Sequence, residues 1–116
     1  MSCGSPPNVG QPTSYPLTLR GASGVTYTFT AFPWGTPFKS VGAVYAVLRR
    51  EASDQHVVLY VGETGDVGTR FDNHHKQSCF DRNRKTHIGV LLESSVQYRL
   101  EIEADLVAAY RPTCND

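Results

Sequence analysis

No apolar run in this chain is longer than a β-strand, and that bounds what it can fold into. The two longest candidates, residues 57–61 and 88–92, fall far short of the ~20 residues that a membrane-spanning helix needs. Short apolar runs bury their side chains by pairing into a sheet, and a small sheet needs helices to cover it. At 116 residues the chain has the length for one such domain and a single core. A charged fraction of 19% against 40% hydrophobic residues fits a folded globular chain and argues against disorder.

The first sixteen residues carry Pro6, Pro7, Pro12 and Pro16 among small polar residues and read as a loosely held arm. Residues 17–19, the turn Gly21-Ala22-Ser23-Gly24 and residues 25–30 then read as a β-hairpin, whose second arm alternates apolar residues with threonine. Pro33 and the Gly35-Thr36-Pro37 turn end it, so residues 17–40 form an N-terminal hairpin extension. Residues 41–49 and 56–62 are two more strands, joined by a short polar loop. Asp66 is a good N-cap and predicts a helix running to about Lys76; residues 77–85 are polar, with room for a short helix. Residues 87–92 form a third core strand. Ser94 or Ser95 caps a longer helix ending near Tyr110, and Pro112 stops it. The order predicts an α/β (α+β) domain over residues 41–116, with a small central antiparallel or mixed sheet flanked by helices.

Eleven basic and eleven acidic residues give zero net charge, which counts against coating nucleic acid by global charge. A local patch survives this argument. Between Arg70 and His87 stand Arg70, Lys76, Arg82, Arg84 and Lys85 against Asp72 and Asp81, so any phosphate contact is expected there. On composition alone a solvated loop with spare charge fits equally well. Cys3, Cys79 and Cys114 include no close pair and suggest no disulfide framework, and the N-terminus lacks the pattern of a signal peptide. The plain expectation is a cytoplasmic protein with reduced thiols and no membrane partner.

One residue does not suit its place. On a helical wheel, Val96, Leu100, Val107 and Tyr110 fall on one stripe with Glu103 in the middle, while Glu101 and Asp105 point the other way, to solvent. A buried carboxylate requires a bound cation, an Arg partner or a cleft. A glutamate at the stripe's edge, reaching water or pairing with Arg70 or Arg99, satisfies the pattern equally. If the loop between the two strands centres at residues 52–53, Tyr45 and Tyr60 lie directly opposite each other on one sheet face. Arg70 and His74, spaced i, i+4, project together from the expected helix.

These residues resemble an ordered set. Ala43-Val44-Tyr45 and Tyr60-Val61-Gly62 resemble the two name-giving tripeptides of the GIY-YIG nucleases, and Arg70 and His74 follow at the family's spacing. The stretch from Glu103 to Asn115 is similar to the family's terminal helix ending in Arg-Pro-x-x-Asn. The resemblance covers residues 41–116. Two positions depart from it: Ala43 replaces the first glycine, and Glu63 stands where many members carry Lys or Gln, which removes a phosphate-contacting cation and adds a second acid.

The resemblance implies a metal-dependent endonuclease with one Mg²⁺ per site, or Mn²⁺ in its place, held by Glu103 and the scissile phosphate. Arg70 would hold a phosphate oxygen, His74 would position water or relay a proton, and Asn115 would fix the site from the end of the chain. Tyr45 or Tyr60 would serve as general base, with Tyr45 preferred. A phenol with a pKa near ~10 costs about 4 kcal/mol to ionise at neutral pH unless neighbours help. The implied partner is nucleic acid, DNA favoured and single-stranded or structured substrates included, with the protein a monomer or weak homodimer. The further nucleic-acid contacts, from the basic stretch, would be Lys76, Arg82, Arg84 and Lys85. The competing expectation is a non-cutting nucleic-acid-binding module of the same fold. A structural metal site from His74, His75, Cys79 and His87 has no recognised zinc spacing.

Overall fold

A computed structural model describes residues 13–115. The expected arm therefore lies mostly outside the described residues, as does Cys3. Tyr15 and Pro16, assigned to that arm from sequence, already belong to the first strand. The elements are β1 (Tyr15–Arg20), β2 (Thr26–Pro33), β3 (Ala43–Arg50), β4 (His56–Thr64), α1 (Gln77–Arg82), β5 (His87–Leu92) and α2 (Val96–Tyr110). The domain is α+β, and its five strands form one antiparallel sheet in the order β1-β2-β5-β3-β4. The N-terminal hairpin is part of this sheet, because residues 30–33 of β2 pair with residues 87–90 of β5.

Strand β3 sits between β5 and β4 and is buried continuously from Ala43 to Leu48. Its side chains do not alternate apolar with polar because both faces of the sheet are covered. One face carries Tyr45, Val47, Tyr60, Ile88 and Val90, packed under Val67, Phe71 and Phe80. The other carries Phe29, Ala31, Val44, Ala46, Leu48 and Val61, packed under Ile102, Leu106 and Val107 of α2.

Helix α2 keeps the expected bounds. Ser95 is its N-cap, with Oγ accepting from the Tyr98 N–H at 3.2 Å, and Arg111 in the left-handed conformation (φ 43°) ends it just before Pro112. The face it buries differs from the expected stripe. Val96, Leu100 and Tyr110 are exposed, and the buried positions are Arg99 and Leu106, flanked by Ile102. The wheel misjudged this because an arginine occupies the inner face. Arg99 Nε donates to Glu63 at 2.9 Å and Nη1 donates to the carbonyls of Glu93 and Ser94, so the buried charge is paired and hydrogen-bonded. Gly42 makes room: a Cβ there would lie 2.5 Å from Arg99 Nη1. Asp105, expected to face solvent, instead docks the helix on the β1–β2 turn. It accepts from the Ser23 N–H and Oγ and from the Tyr27 hydroxyl at 2.6–2.8 Å.

The helix expected from Asp66 to Lys76 does not form. Asp66 does cap locally, its Oδ1 accepting from the Gly68 N–H at 2.9 Å, but the chain then makes successive turns, and helix begins only at Gln77. The Lys76 N–H, which a helix would give to the Asp72 carbonyl, bonds His74 Nδ1 instead, while the Val67 N–H ties the start of the segment to the Val41 carbonyl. Gly68, Asp72 and Asn73 add weak intrinsic preference for helix.

Cys79 on α1 and Cys114 beyond α2 form a disulfide. This overturns the expectation of reduced thiols for these two residues, and it removes Cys79 from the structural-metal set. The two cysteines are 35 residues apart, a separation that hides their proximity. Among the described residues no helix is long and apolar enough to cross a membrane. Closing a 35-residue loop restrains the unfolded chain, so Cys114→Ser is expected to lower the unfolding free energy by roughly 4 kcal/mol. Urea denaturation with and without a dithiol reductant checks this: reduction should shift the wild-type midpoint down and leave the variant's unchanged.

Candidate functional site

Tyr45, Tyr60, Arg70 and His74 come together on one face of the sheet, at its β4 side. A β-bulge at Val47/Leu48 sets their register: Tyr45 opposes Gly62, and Tyr60 opposes Val47. The tyrosines are therefore diagonal neighbours rather than directly opposed, with rings stacked at 6.0 Å and 27°. Gly62 is where the space comes from. A Cβ at that position would lie 2.5 Å from the Tyr45 hydroxyl and 2.8 Å from Tyr60 Cε2.

His74 is buried between the phenols and the start of α1. Its Nε2 is 2.8 Å from the Tyr45 hydroxyl, and its Nδ1 accepts the Lys76 N–H at 3.0 Å. Burial, and then the charge of Arg70, lower its pKa to about 4. The imidazole is thus neutral near pH 7, with Nδ1 as acceptor and its proton on Nε2, donated to the Tyr45 oxygen. Tyr45 keeps its own proton for a third group. Burial raises the pKa of both phenols, and the Arg70 charge opposes the rise in each case. Tyr45 is fully enclosed, whereas Tyr60 retains 9% exposure, so Tyr60 is the phenol that solvent reaches.

Arg70 is half-buried, with its guanidinium 5.9 Å from the Tyr45 ring centroid. Its guanidinium makes a long 3.5 Å approach to His75, and no carboxylate pairs with it among the described residues. The expected i, i+4 helical pairing with His74 is replaced by turns that bring both residues to the phenols.

Glu103 stands on α2, which covers the other face of the sheet, and acts on Tyr60 through its charge. It is half-buried on the flank of the helix's inner face rather than at the centre of an apolar stripe. Burial raises its pKa, and the Glu63 carboxylate raises it further. Its own charge in turn acts on Tyr60. Arg99, one expected partner, is taken by Glu63, and Glu103 has no hydrogen-bond or ion-pair partner among the described residues. No group of three or more metal-ligating side chains occurs among the described residues.

Asn115 does not face the phenols. Its side chain brackets Val61 on the outer edge of β4, with Oδ1 accepting the N–H and Nδ2 donating to the carbonyl, both at 2.9 Å. With the Cys114 N–H on the Leu59 carbonyl, the chain's end covers the backbone beside Tyr60. Asn115 thus holds the β4 backbone and makes no side-chain hydrogen bond to the phenols.

The chain matches no family model, no curated protein and no solved structure. The site therefore rests on its own geometry.

The basic residues are dispersed. Lys85 pairs with Asp81 and lies 5.0 Å from the Trp34 ring centroid. Arg82 and Arg84 line a separate polar hollow with Arg49, Glu51 and Asn83, toward the far end of β3, while Lys76 begins α1 beside His74. Two further members of the surroundings lay outside the sequence reading: Phe71, whose ring is 5.0 Å from Tyr45, and Glu63 as the partner of Arg99. The i, i+4 spacing of Val67 and Phe71 was the available signal for the first.

The lowered pKa of His74 sets a pH dependence. The unfolded chain binds this proton near pH 6.5 and the folded one near 4, so the stability it contributes is present above pH 6.5 and is lost as pH falls toward 4. His74→Gln, which cannot titrate, is expected to flatten the melting temperature across that window relative to wild type. Parallel thermal melts from pH 7 to pH 4 measure the difference, and identical slopes would refute the neutral buried imidazole.

Proposed function

We propose that this chain is a metal-dependent endonuclease of the GIY-YIG type, hydrolysing phosphodiester bonds of nucleic acid, DNA favoured. One observation carries the reading: a half-buried cation, Arg70, and a half-buried carboxylate, Glu103, both act by their charge on Tyr60, and neither has an ion-pair partner among the described residues. Unpaired partly buried charges are costly and call for a ligand. A phosphate complements the guanidinium, and a divalent cation complements the carboxylate.

A lone carboxylate with no competing partner fits Mg²⁺, a hard cation that keeps several waters and shares substrate phosphate oxygens. When bound, such an ion supplies positive charge to the scissile phosphate and leaving oxygen. The chain's own residues do the rest. Arg70 holds a non-bridging phosphate oxygen with its planar fork. In hydrolysis a water oxygen bonds to phosphorus, the bond to the leaving sugar oxygen breaks, and the water's proton passes to a phenolate. Tyr60 suits that last role better than Tyr45, because it keeps some exposure to solvent and Tyr45 has none. Tyr45, fixed by the His74 N–H, donates its hydrogen bond into the site and orients the acceptor. Asn115 holds Val61, and with it the backbone next to Tyr60.

The test is cleavage of labelled single-stranded DNA, duplex DNA and RNA with Mg²⁺, Mn²⁺ or EDTA. Wild type is expected to cut, EDTA to stop it, and Glu103→Ala and Arg70→Ala each to lose at least about 10²-fold in kcat, with folding retained. Binding without cutting by wild type would instead favour a non-catalytic nucleic-acid-binding module.

The phenol role has its own signature. Because burial holds Tyr60 above the ordinary phenol value of 10.0, its ionised fraction increases as pH rises through the neutral range. The rate is expected to increase about tenfold per pH unit between pH 6 and 9, measured under single-turnover conditions, and Tyr60→Phe should abolish both slope and activity.

A further inference from the structure

Beside the phenols the chain builds a pocket of about 500 Å³ that the proposed chemistry does not use. One wall is the turn after β2, with Trp34 and Phe38. The other is the turn segment after β4, with Phe71, Asp72 and Asn73, and Gln77 closes the end. The walls meet at Gly68, where a Cβ would lie 2.9 Å from the Phe38 carbonyl oxygen, so only glycine allows the approach. Trp34 packs edge-on to Phe71 at 5.6 Å and Phe38 edge-on to Phe32 at 5.2 Å, which holds the aromatic lining in place.

Three features choose the occupant. The volume suits a small flat group, and the lining pairs aromatic rings with carboxylate and amide side chains. Asp72 and Asn73 are exposed, with no side-chain hydrogen bond to another described residue, so acceptor and donor groups are available at the rim. Phe71 is shared: it lines this pocket, stands next to Arg70 in the chain, and packs edge-on to Tyr45 at 5.0 Å and flat against His74. Phe71 therefore stands between the pocket and the group that holds Tyr45 and His74. We infer that the pocket binds an unpaired nucleobase of the nucleic acid whose phosphate sits at Arg70, stacked among Trp34, Phe38 and Phe71 and hydrogen-bonded at its edge by Asp72 and Asn73. This deepens the nuclease reading and rests on it. Its consequence is preference for single-stranded or locally unpaired substrate, since a base within a continuous duplex cannot leave its stack without cost.

Two measurements separate this inference from the nuclease reading. Trp34 is the chain's one tryptophan, so its fluorescence reports occupancy without turnover. Thymidine 5′-monophosphate is expected to quench it, deoxyribose 5-phosphate to leave it unchanged, and Phe38→Ala and the surface variant Asn73→Ala to weaken the quenching, the former roughly tenfold. In the second measurement, wild type cuts single-stranded DNA carrying one abasic residue, placed in turn at each position around the cut. One position should raise KM roughly tenfold with kcat preserved. Cleavage indifferent to every abasic position overturns the base subsite and leaves the nuclease standing, even if the free nucleotide quenches. Quenching by the nucleotide without cleavage of any substrate keeps the pocket as a base site and removes the nuclease. Equal response to both phosphates, or to neither, overturns the subsite.

Discussion

Strand β3 gives up no surface to solvent between Ala43 and Leu48, and this double-sided burial organises the rest of the molecule. A strand covered on both faces needs two lids. Helix α2 provides one, seated by Leu106 and by the Arg99–Glu63 pair. The turns after β4 and the short α1 provide the other, through Val67, Phe71 and Phe80. Each lid carries one of the two charges on which the proposed site depends: Glu103 rides on α2, and Arg70 on the turn segment. Both charges act on Tyr60, which lies on the edge strand β4.

The electrostatics of this place follow from what is paired and what is left over. Arg99 takes Glu63 together with two carbonyls, and this arrangement leaves Glu103 without a cation. A lysine at position 63 would have had no such partnership with Arg99. The glutamate there both fixes the helix and, by its charge, makes Glu103 harder to ionise. Neutral His74 adds no positive charge to compete with Arg70. The arrangement keeps one cation and one carboxylate poised for ligands in a setting otherwise made of phenols and aromatic rings.

The strands were legible because their signals are local. Alternating threonines in β2, β-branched runs in β4 and β5, and turn residues at Gly21 and Gly24 each act within a few residues. Ser95 and Pro112 bracket α2 for the same reason. The segment from Asp66 to Lys76 was misread because its fate is set by partners far away: Val41 takes the Val67 N–H, and the aromatic lid needs Phe71 and His74 turned inward. The face of α2 was misread because an apolar wheel assumes that arginine avoids the core, whereas Arg99 meets a carboxylate and two carbonyls there. The disulfide was invisible for a similar reason, as a 35-residue separation says nothing about distance in space.

By itself the sequence determined the set of elements and the side chains available for chemistry, because strand pattern, caps and residue type are properties of short stretches. It named Tyr45, Tyr60, Arg70, His74 and Glu103 as one group only through their resemblance to an ordered motif. Tertiary structure alone decided which charges find partners, which phenol meets solvent, that Asn115 grips backbone, and that an aromatic pocket adjoins the phenols. Those outcomes depend on desolvation and on contacts between segments distant in the chain, and neither is encoded in any local stretch of residues.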